Sequence, residues 1–301
     1  MPNPTYRLLS FQGLVIMANN ESLLSHALQK AAQEATSPCL PSSSSLVQMQ
    51  QDERVHLLRA SLKYRGLTTL DHVYWLNTIS STNDAIKQLD APCALILSNE
   101  QTAGRGQAGR QWYSPEGNLY LSLLWTLQHP LSGRLALEAA LSLVTMPLFQ
   151  QHAGLTVKWP NDLYFNQAKW GGILIEPLSD HRVVIGVGLN LTPMPDRVES
   201  QAVTDLGTIL NEPVDTLELA IQTTFALIHA CKTFEQGSFE LPVRFASFDA
   251  LFQQAVVVSN PAQPDIQGTV MGIQPDGALQ LDSPEGVKII YSGQVRPLSE
   301  K

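Results

Sequence analysis

Two arginines stand among glycines in Gly104-Arg105-Gly106-Gln107-Ala108-Gly109-Arg110, followed by Gln111-Trp112 and an apolar run from Leu119 to Trp125. Glycine lets backbone N–H groups approach a ligand closely, and successive N–H groups can form an anion-binding concavity. The guanidinium adds a planar, permanently charged fork suited to carboxylate or phosphate. The chain carries a net charge of -8, so isolated arginines of this kind point to a bound anion. A second cluster runs from Lys158-Trp159-Pro160-Asn161-Asp162 to Lys169-Trp170-Gly171-Gly172. A lysine beside a glycine pair offers a point charge for an anion, and an aspartate nearby can hold Mg²⁺ beside a nucleotide. Alone, this segment also reads as a hairpin with solvated lysines.

Two weaker signals accompany them. Ser81-Thr82-Asn83-Asp84 puts hydroxyls and an amide at an expected helix N-terminus, where capping alone accounts for such residues. Gly186-Val187-Gly188-Leu189-Asn190 closes an apolar strand with two glycines, by default a bulge or tight bend. Gly104, Gly106 and Gly109 also match the spacing of a dinucleotide-binding fingerprint. That motif needs a helix directly after it and an acidic residue about 20 positions on. Pro115 and Gly117 follow instead, then strand chemistry. The dinucleotide reading fails.

At 301 residues the chain accommodates a large and a small domain. Its acidic balance argues against broad nucleic-acid binding, which needs basic surface. Cys39, Cys93 and Cys231 are scattered and form no metal spacing, as expected of reduced thiols inside a cell. Leu8 to Met17 resembles a short signal segment, but Gln12 interrupts it and no small-x-small cleavage site follows. No apolar run reaches membrane-span length. A cytoplasmic protein is expected.

The elements that must position these residues follow from periodicity. Helices are expected at Glu21 to Thr36, Asp52 to Arg65 (with Gly66 as cap), Thr82 to Leu89, Gly133 to His152, Thr216 to Glu235 and Pro242 to Leu251. Strands are expected at Val73 to Leu76, Ala94 to Ser98, Leu119 to Trp125, Thr156 to Trp159, Gly172 to Glu176 and Val183 to Asn190. Pro38, Pro41 and Ser42 to Ser45 read as a linker. From Ala255, short strands (Val256 to Ser259, Gly268 to Ile273, Leu279 to Leu281, Lys288 to Tyr291) alternate with the turns Asp276-Gly277 and Pro284-Glu285-Gly286, which fits a small β-barrel. The expected division is residues 1–45, a helical segment with linker; 46–253, a mixed α+β domain; and 254–301, a β-domain.

In order along the chain, STND, GRGQAGRQWYSPEGNLYLS, KWPND with KWGGIL, and GVGLN resemble the biotin protein ligase family, from about Ser80 to Asn190. The resemblance implies an α+β fold: a mixed-sheet catalytic domain of the biotin/lipoate ligase, class II synthetase-like type, with a small C-terminal SH3-like β-barrel. It implies that ATP, brought as its Mg²⁺ complex, activates biotin as biotinyl-5′-AMP. Biotin then passes to a lysine of a biotin carboxyl carrier domain of a carboxylase such as acetyl-CoA carboxylase. Both small molecules are substrates, and no tightly bound prosthetic group is implied. By position, Ser81, Thr82, Asn83, Gln101, Arg105, Gly106, Gln107, Lys169 and Gly172 would bind biotin. Arg110, Trp112, Lys158, Asn161, Asp162 and Asn190 would bind the nucleotide, with Mg²⁺ near Asp162. Lys169, Arg105 and Asp162 would be catalytic.

This chain departs from the family pattern at Gln107, where a second arginine is common. Some bacterial members carry an N-terminal winged helix that represses biotin synthesis genes. Here the first fifty residues hold only Arg7 and Lys30 as fixed positive charges, so DNA binding is not expected, and residues 1–45 read as a degenerate remnant. A homodimer is compatible with the family. A lipoate-type ligase of the same fold and a biotin-sensing repressor are the rival readings.

Overall fold

The computed structural model describes residues 9–11, 14–16, 52–67, 70, 72–193, 202–260 and 263–298. Leu9–Phe11 (β1) and Leu14–Ile16 (β2) pair antiparallel, Leu9 opposite Ile16. They belong to a unit spanning residues 1–37, separate from the unit of residues 38–301. The expected helix from Glu21, the linker and Cys39 lie outside the described residues.

Residues from Asp52 onward form a seven-stranded sheet faced by helices. Glu53–Tyr64 (α1) starts at Asp52, whose carboxylate caps the Arg54 N–H at 2.8 Å. It stops before Gly66, whose φ of +90° suits glycine. His72–Ile79 (β3), Thr82–Ile86 (α2), Ala94–Gln101 (β4), Leu119–Thr126 (β5) and Arg134–Val144 (α3) follow. The expected helix to His152 ends early, because Met146 is extended before Pro147 and a 3₁₀ turn takes over at Pro147–Phe149. Leu155–Lys158 (β6), Asp162–Phe165 (β7), Ala168–Pro177 (β8) and Arg182–Leu189 (β9) complete the sheet. Its order is β3-β4-β5-β9-β8-β7-β6, parallel only between β3 and β4. β7 was not expected: Asn161-Asp162 reads as a turn, yet Asp162 already pairs with Gly172. Leu206–Leu210 (α4) was also unexpected, Thr216–Glu235 (α5) matches its expected bounds, and Leu241–Ala246 (α6) is shorter than expected.

Alternation assigns the two faces of the sheet. Val73, Trp75, Leu95, Leu97, Leu119, Leu121, Leu123, Val183, Ile185, Val187 and Leu189 pack with Leu58 and Leu62 of α1, Leu137 of α3 and Leu227 of α5 in one core. Their neighbours Tyr74, Leu76, Ala94, Ile96, Leu124 and Val184 form a smaller cluster with Ala85 and Ile86 of α2. Ser122, Gly186 and Gly188 share that second face, which carries the site.

Ala255–Asn260 (β10), Gln263–Ile273 (β11), Leu279–Ser283 (β12), Gly286–Ile290 (β13) and Gln294–Pro297 (β14) form a separate antiparallel sheet in the order β13-β12-β11-β10-β14, consistent with the expected SH3-like domain. β14 was missed by periodicity. Val256, Val270, Leu279 and Leu281 join the main core. Trp159 Nε1 donates to the Gly277 carbonyl at 2.9 Å, fastening the two sheets together. Among the described residues, no helix is long and apolar enough to cross a membrane.

Candidate active site

The arginine–glycine loop is a short hairpin laid across the second face. Trp112 N–H donates to the Gly104 carbonyl at 2.9 Å and Gly106 N–H to the Arg110 carbonyl at 2.7 Å, with Arg105 opposite Gln111. At the tip, Ala108 and Gly109 take φ of +54° and +72°. Thr102 and Ala103 N–H groups donate to the carbonyls of Ile79 and Ser80, docking the loop on the β3–α2 junction. Gly104 has no room for a side chain, since a Cβ would run into Ser114 Oγ and the Trp112 carbonyl.

Lys169 is aimed by a bulge. Leu163 pairs with Gly171 but Tyr164 pairs with Lys169, which leaves Trp170 as the extra residue. In an unbroken strand, positions 169 and 172 would face opposite sides; the inserted residue puts Lys169 and Gly172 on the same one. Trp170 is thereby driven into the core, edge-on to Phe149 with ring centroids 5.4 Å apart. Lys169 is further fixed through its backbone, with its N–H on the Ala202 carbonyl and its carbonyl on the Thr204 N–H, both at 2.9 Å. Its ammonium lies 2.9 Å from Asp162 Oδ1 and 4.8 Å over the Trp112 ring.

These parts enclose one cavity of about 330 Å³. Ser81, Thr82, Asn83, Gln101, Arg105, Gly106, Gln107, Arg110, Trp112, Asn161, Asp162, Lys169 and Gly172 all line it, as the sequence suggested. Gln111, Ile173, Leu174, Gly186, Val187, Gly188 and Gln294 line it too and were not singled out as site residues. The glycines of GVG carried a weak signal. Gln294 of β14 carried none, because it arrives from the other sheet.

One end of the cavity is a buried polar nest. Gln101 Oε1 accepts from Thr82 N–H at 2.8 Å and Thr82 Oγ1 at 3.1 Å, while its Nε2 donates to Ser114 Oγ at 3.1 Å. Ser122 Oγ lies 2.7 Å from Thr82 Oγ1 and 2.5 Å from Asn83 Oδ1. Ser81 caps α2 through Asp84 N–H at 3.3 Å. At the other end, the Trp112 ring lies over Gly172 and Gly188, and a Cβ at Gly188 would sit 2.6 Å from Trp112 Nε1. That nitrogen is buried and has no partner among the described residues. Asn161 ties the floor together, its Nδ2 donating to the Ile173 carbonyl at 2.5 Å and its carbonyl accepting from Ile173 N–H at 3.0 Å. The Trp159–Pro160 peptide before it is cis.

Arg105 does not stand free. Its Nη2 pairs with Glu176 Oε1 at 2.9 Å and Asp84 Oδ1 at 2.5 Å, and Lys87 Nζ joins the same Glu176 oxygen at 2.9 Å. Burial pushes the Glu176 carboxyl up. The hydrogen bonds from Lys87 and Asn83, with the Lys87 and Arg105 charges, outweigh it and hold the carboxyl below the usual range. Lys87, Ser122 and Glu176 were missed because each reads alone as a surface or strand residue, and Asp84, quoted within its STND motif, was given no role of its own.

Two expected site residues lie off the cavity lining. Lys158 is buried beside Tyr164, 3.3 Å from its hydroxyl and 5.2 Å from the ring centroid. Asn190 Nδ2 donates to the Thr204 carbonyl at 3.1 Å, while its buried Oδ1 lacks a partner among the described residues. Among the described residues on the cavity lining, Asp162 is the only carboxylate. One carboxylate beside a polyphosphate is the usual protein share of a Mg²⁺ site, so the donor set fits a metal brought by its nucleotide.

Comparison with known proteins agrees with this geometry. Residues 75–190 match the Biotin/lipoate A/B protein ligase family, and residues 254–295 match the Biotin protein ligase C terminal domain. The chain is 31% identical over 258 residues to the bifunctional ligase/repressor BirA of Salmonella typhimurium, covering 81% of this chain and 79% of that protein. It is 32% identical over 235 residues to BirA of Escherichia coli, covering 73% and 72%. The structure of biotin protein ligase from Aquifex aeolicus in complex with biotin and ATP superposes with a TM-score of 0.65 at 26% identity, over 75% of this chain and 99% of that one. With one cavity shared by lysine, arginine loop and polar nest, and with this degree of relatedness, the chain belongs to the biotin protein ligase family and is an enzyme of that type.

Proposed function

We propose that this enzyme joins biotin to ATP and then transfers it to a lysine of a carboxylase's biotin carboxyl carrier domain. In the first step a biotin carboxylate oxygen attacks the α-phosphorus of ATP, the bond to the β-phosphate oxygen breaks, and pyrophosphate leaves. In the second the carrier's amine attacks the acyl carbon of biotinyl-5′-AMP, the carbon–oxygen bond breaks, AMP leaves and the amine gives up a proton. The observation that carries this reading is the convergence of Lys169, Asp162 and the arginine loop on one cavity whose far end is the Ser81–Asn83 and Gln101 nest.

A fused urea presents one carbonyl and two N–H groups, which the nest's hydroxyls and amides can satisfy. Gly106 and Gln107 close over the tail, and Gly172 lets it pass close to the floor. Lys169 offsets charge at the carboxylate and then at the α-phosphate, in a site where fixed charge acts strongly. Arg105 adds a second cation. Trp112, Arg110, Asn161 and Asp162 serve the nucleotide side, and the buried Asn190 Oδ1 behind the lining would accept from the adenine amine once the nucleotide reaches it. Mg²⁺ would be held by the phosphates and Asp162 and would neutralise phosphate charge. Reaction in the cytoplasm, without operator binding, completes the proposal.

The purified chain, ATP, biotin and a carrier domain make the test. Biotin-dependent pyrophosphate release with biotinylation of the carrier supports the reading. Equal activity with lipoate, or no release, overturns it.

A further inference from the structure

Glu176 sits near the end of β8, opposite Val184 and outside the cavity lining, yet three donors, two from α2 and its C-cap and one from the arginine–glycine loop, converge on its carboxylate. Asn83 Nδ2 of the polar nest reaches Oε2 at 2.7 Å. Arg105 Nη2 of the loop reaches Oε1 and Oε2 at 2.9 and 3.0 Å. Lys87 Nζ reaches Oε1 at 2.9 Å. An ionised carboxylate only accepts, so Asn83 must turn its NH₂ toward Glu176 and its Oδ1 toward Ser122 and the cavity floor. The fit is tight: a Cβ at Gly186 would overlap Asn83 Oδ1. The same carboxylate, with Asp84, pairs with Arg105 of the loop, which itself lines the cavity.

We propose that Glu176 is a positioning residue that sets both substrate-contacting parts of the site, fixing the Asn83 amide so that its oxygen faces the ligand and anchoring Arg105 at the cavity wall. The inference rests on the ligase reading. It has two separable consequences, because the amide needs only an acceptor while the arginine needs the charge. Glu176→Gln keeps an acceptor oxygen for Asn83 and removes the charge. Glu176→Met removes both and keeps the aliphatic volume.

Biotin affinity by titration calorimetry, and amide hydrogen exchange across residues 104–112, separate the two. Glu176→Met is expected to weaken biotin about tenfold, the scale of one lost buried hydrogen bond, whereas Glu176→Gln stays within about twofold. Exchange in the loop is expected to rise in both variants. Biotin affinity unchanged in Glu176→Met, equal losses in both variants, or loop exchange unchanged would each overturn the inference. If Glu176→Met does not fold, reversing the polarity decides: Asn83→Asp alone should lose biotin by placing two carboxylates together, and adding Glu176→Gln should restore most of it. Failure of that rescue is equally fatal. A wild-type chain that binds no biotin would instead sink the ligase reading itself.

Discussion

Lys169 Nζ lies 2.9 Å from Asp162 Oδ1 on adjacent strands, with the Trp112 ring 4.8 Å away on the other side. The ammonium therefore stands at the cavity wall already balanced by a carboxylate, and the proposed reaction requires it to exchange that partner for a substrate anion. Lys169→Ala should lower biotin-dependent pyrophosphate release by about 10²-fold or more, the usual loss when one fixed charge-stabilising group is removed. Because the bulge and backbone bonds position Lys169 independently of its side chain, the melting temperature should barely move. Near-normal turnover in a folded variant would contradict the role.

The glycines of the floor offer a finer test. A Cβ at Gly188 would lie 2.6 Å from Trp112 Nε1, whereas one at Gly172 would meet the same ring at 3.2 Å, where a small shift suffices. Gly188→Ala should therefore displace Trp112 and raise KM for ATP more than Gly172→Ala does. Gly186→Ala should strike Asn83 instead and raise KM for biotin. Steady-state kinetics with each substrate varied in turn would show the split, and identical effects from all three would refute it.

Unbroken apolar runs made most of the sheet legible, because strands buried on both faces read as near-continuous apolar segments, as at Leu119 to Thr126 and Arg182 to Leu189. The pattern failed at Asp162–Phe165, a four-residue strand opening with turn-like residues. The cavity lining was legible where chemistry is concentrated in short motifs, as at Ser81–Asn83 and Gly104–Trp112. What could not be seen were the relationships across it. Asn83 and Glu176 are 93 positions apart, and neither has a neighbour in sequence that announces the contact. The bulge at Trp170 also leaves no periodic trace, since it is a break in pairing with a partner strand. Gln294 reaches the site only because two sheets share a core.

Gln107 lines the cavity at the loop tip, and its backbone carbonyl accepts from Arg110 Nε at 3.2 Å. If the proposed adenylate forms beneath the loop, an amide there would forgo a charge-assisted hydrogen bond to it, typically worth about 1.5 to 3 kcal/mol. Gln107→Arg should slow escape of biotinyl-5′-AMP, measured by trapping the free intermediate during turnover without a carrier. An unchanged or faster escape rate would remove this account of the departure.

Asp249 bears on stability rather than catalysis. It stands at the bridge to Val157 of β6, with Oδ1 accepting from Leu251 N–H at 2.9 Å and a buried Oδ2 that has no partner among the described residues. Burial raises its pKa from 3.8 to about 6, against hydrogen bonds from the Leu251 and Phe252 backbone that lower it. The folded state thus holds the proton more tightly than the unfolded chain does. Its contribution favours the fold fully below pH 3.8 and is lost as pH rises through about 6. Asp249→Asn keeps the Oδ1 acceptor and abolishes the buried charge, at the smaller cost of an unpaired NH₂. The variant should melt a few degrees above wild type at pH 7.5, and the gap should close as the pH falls toward 4. Thermal melts across that range check the sign, and a gap that is constant with pH would mean that Asp249 does not titrate within it.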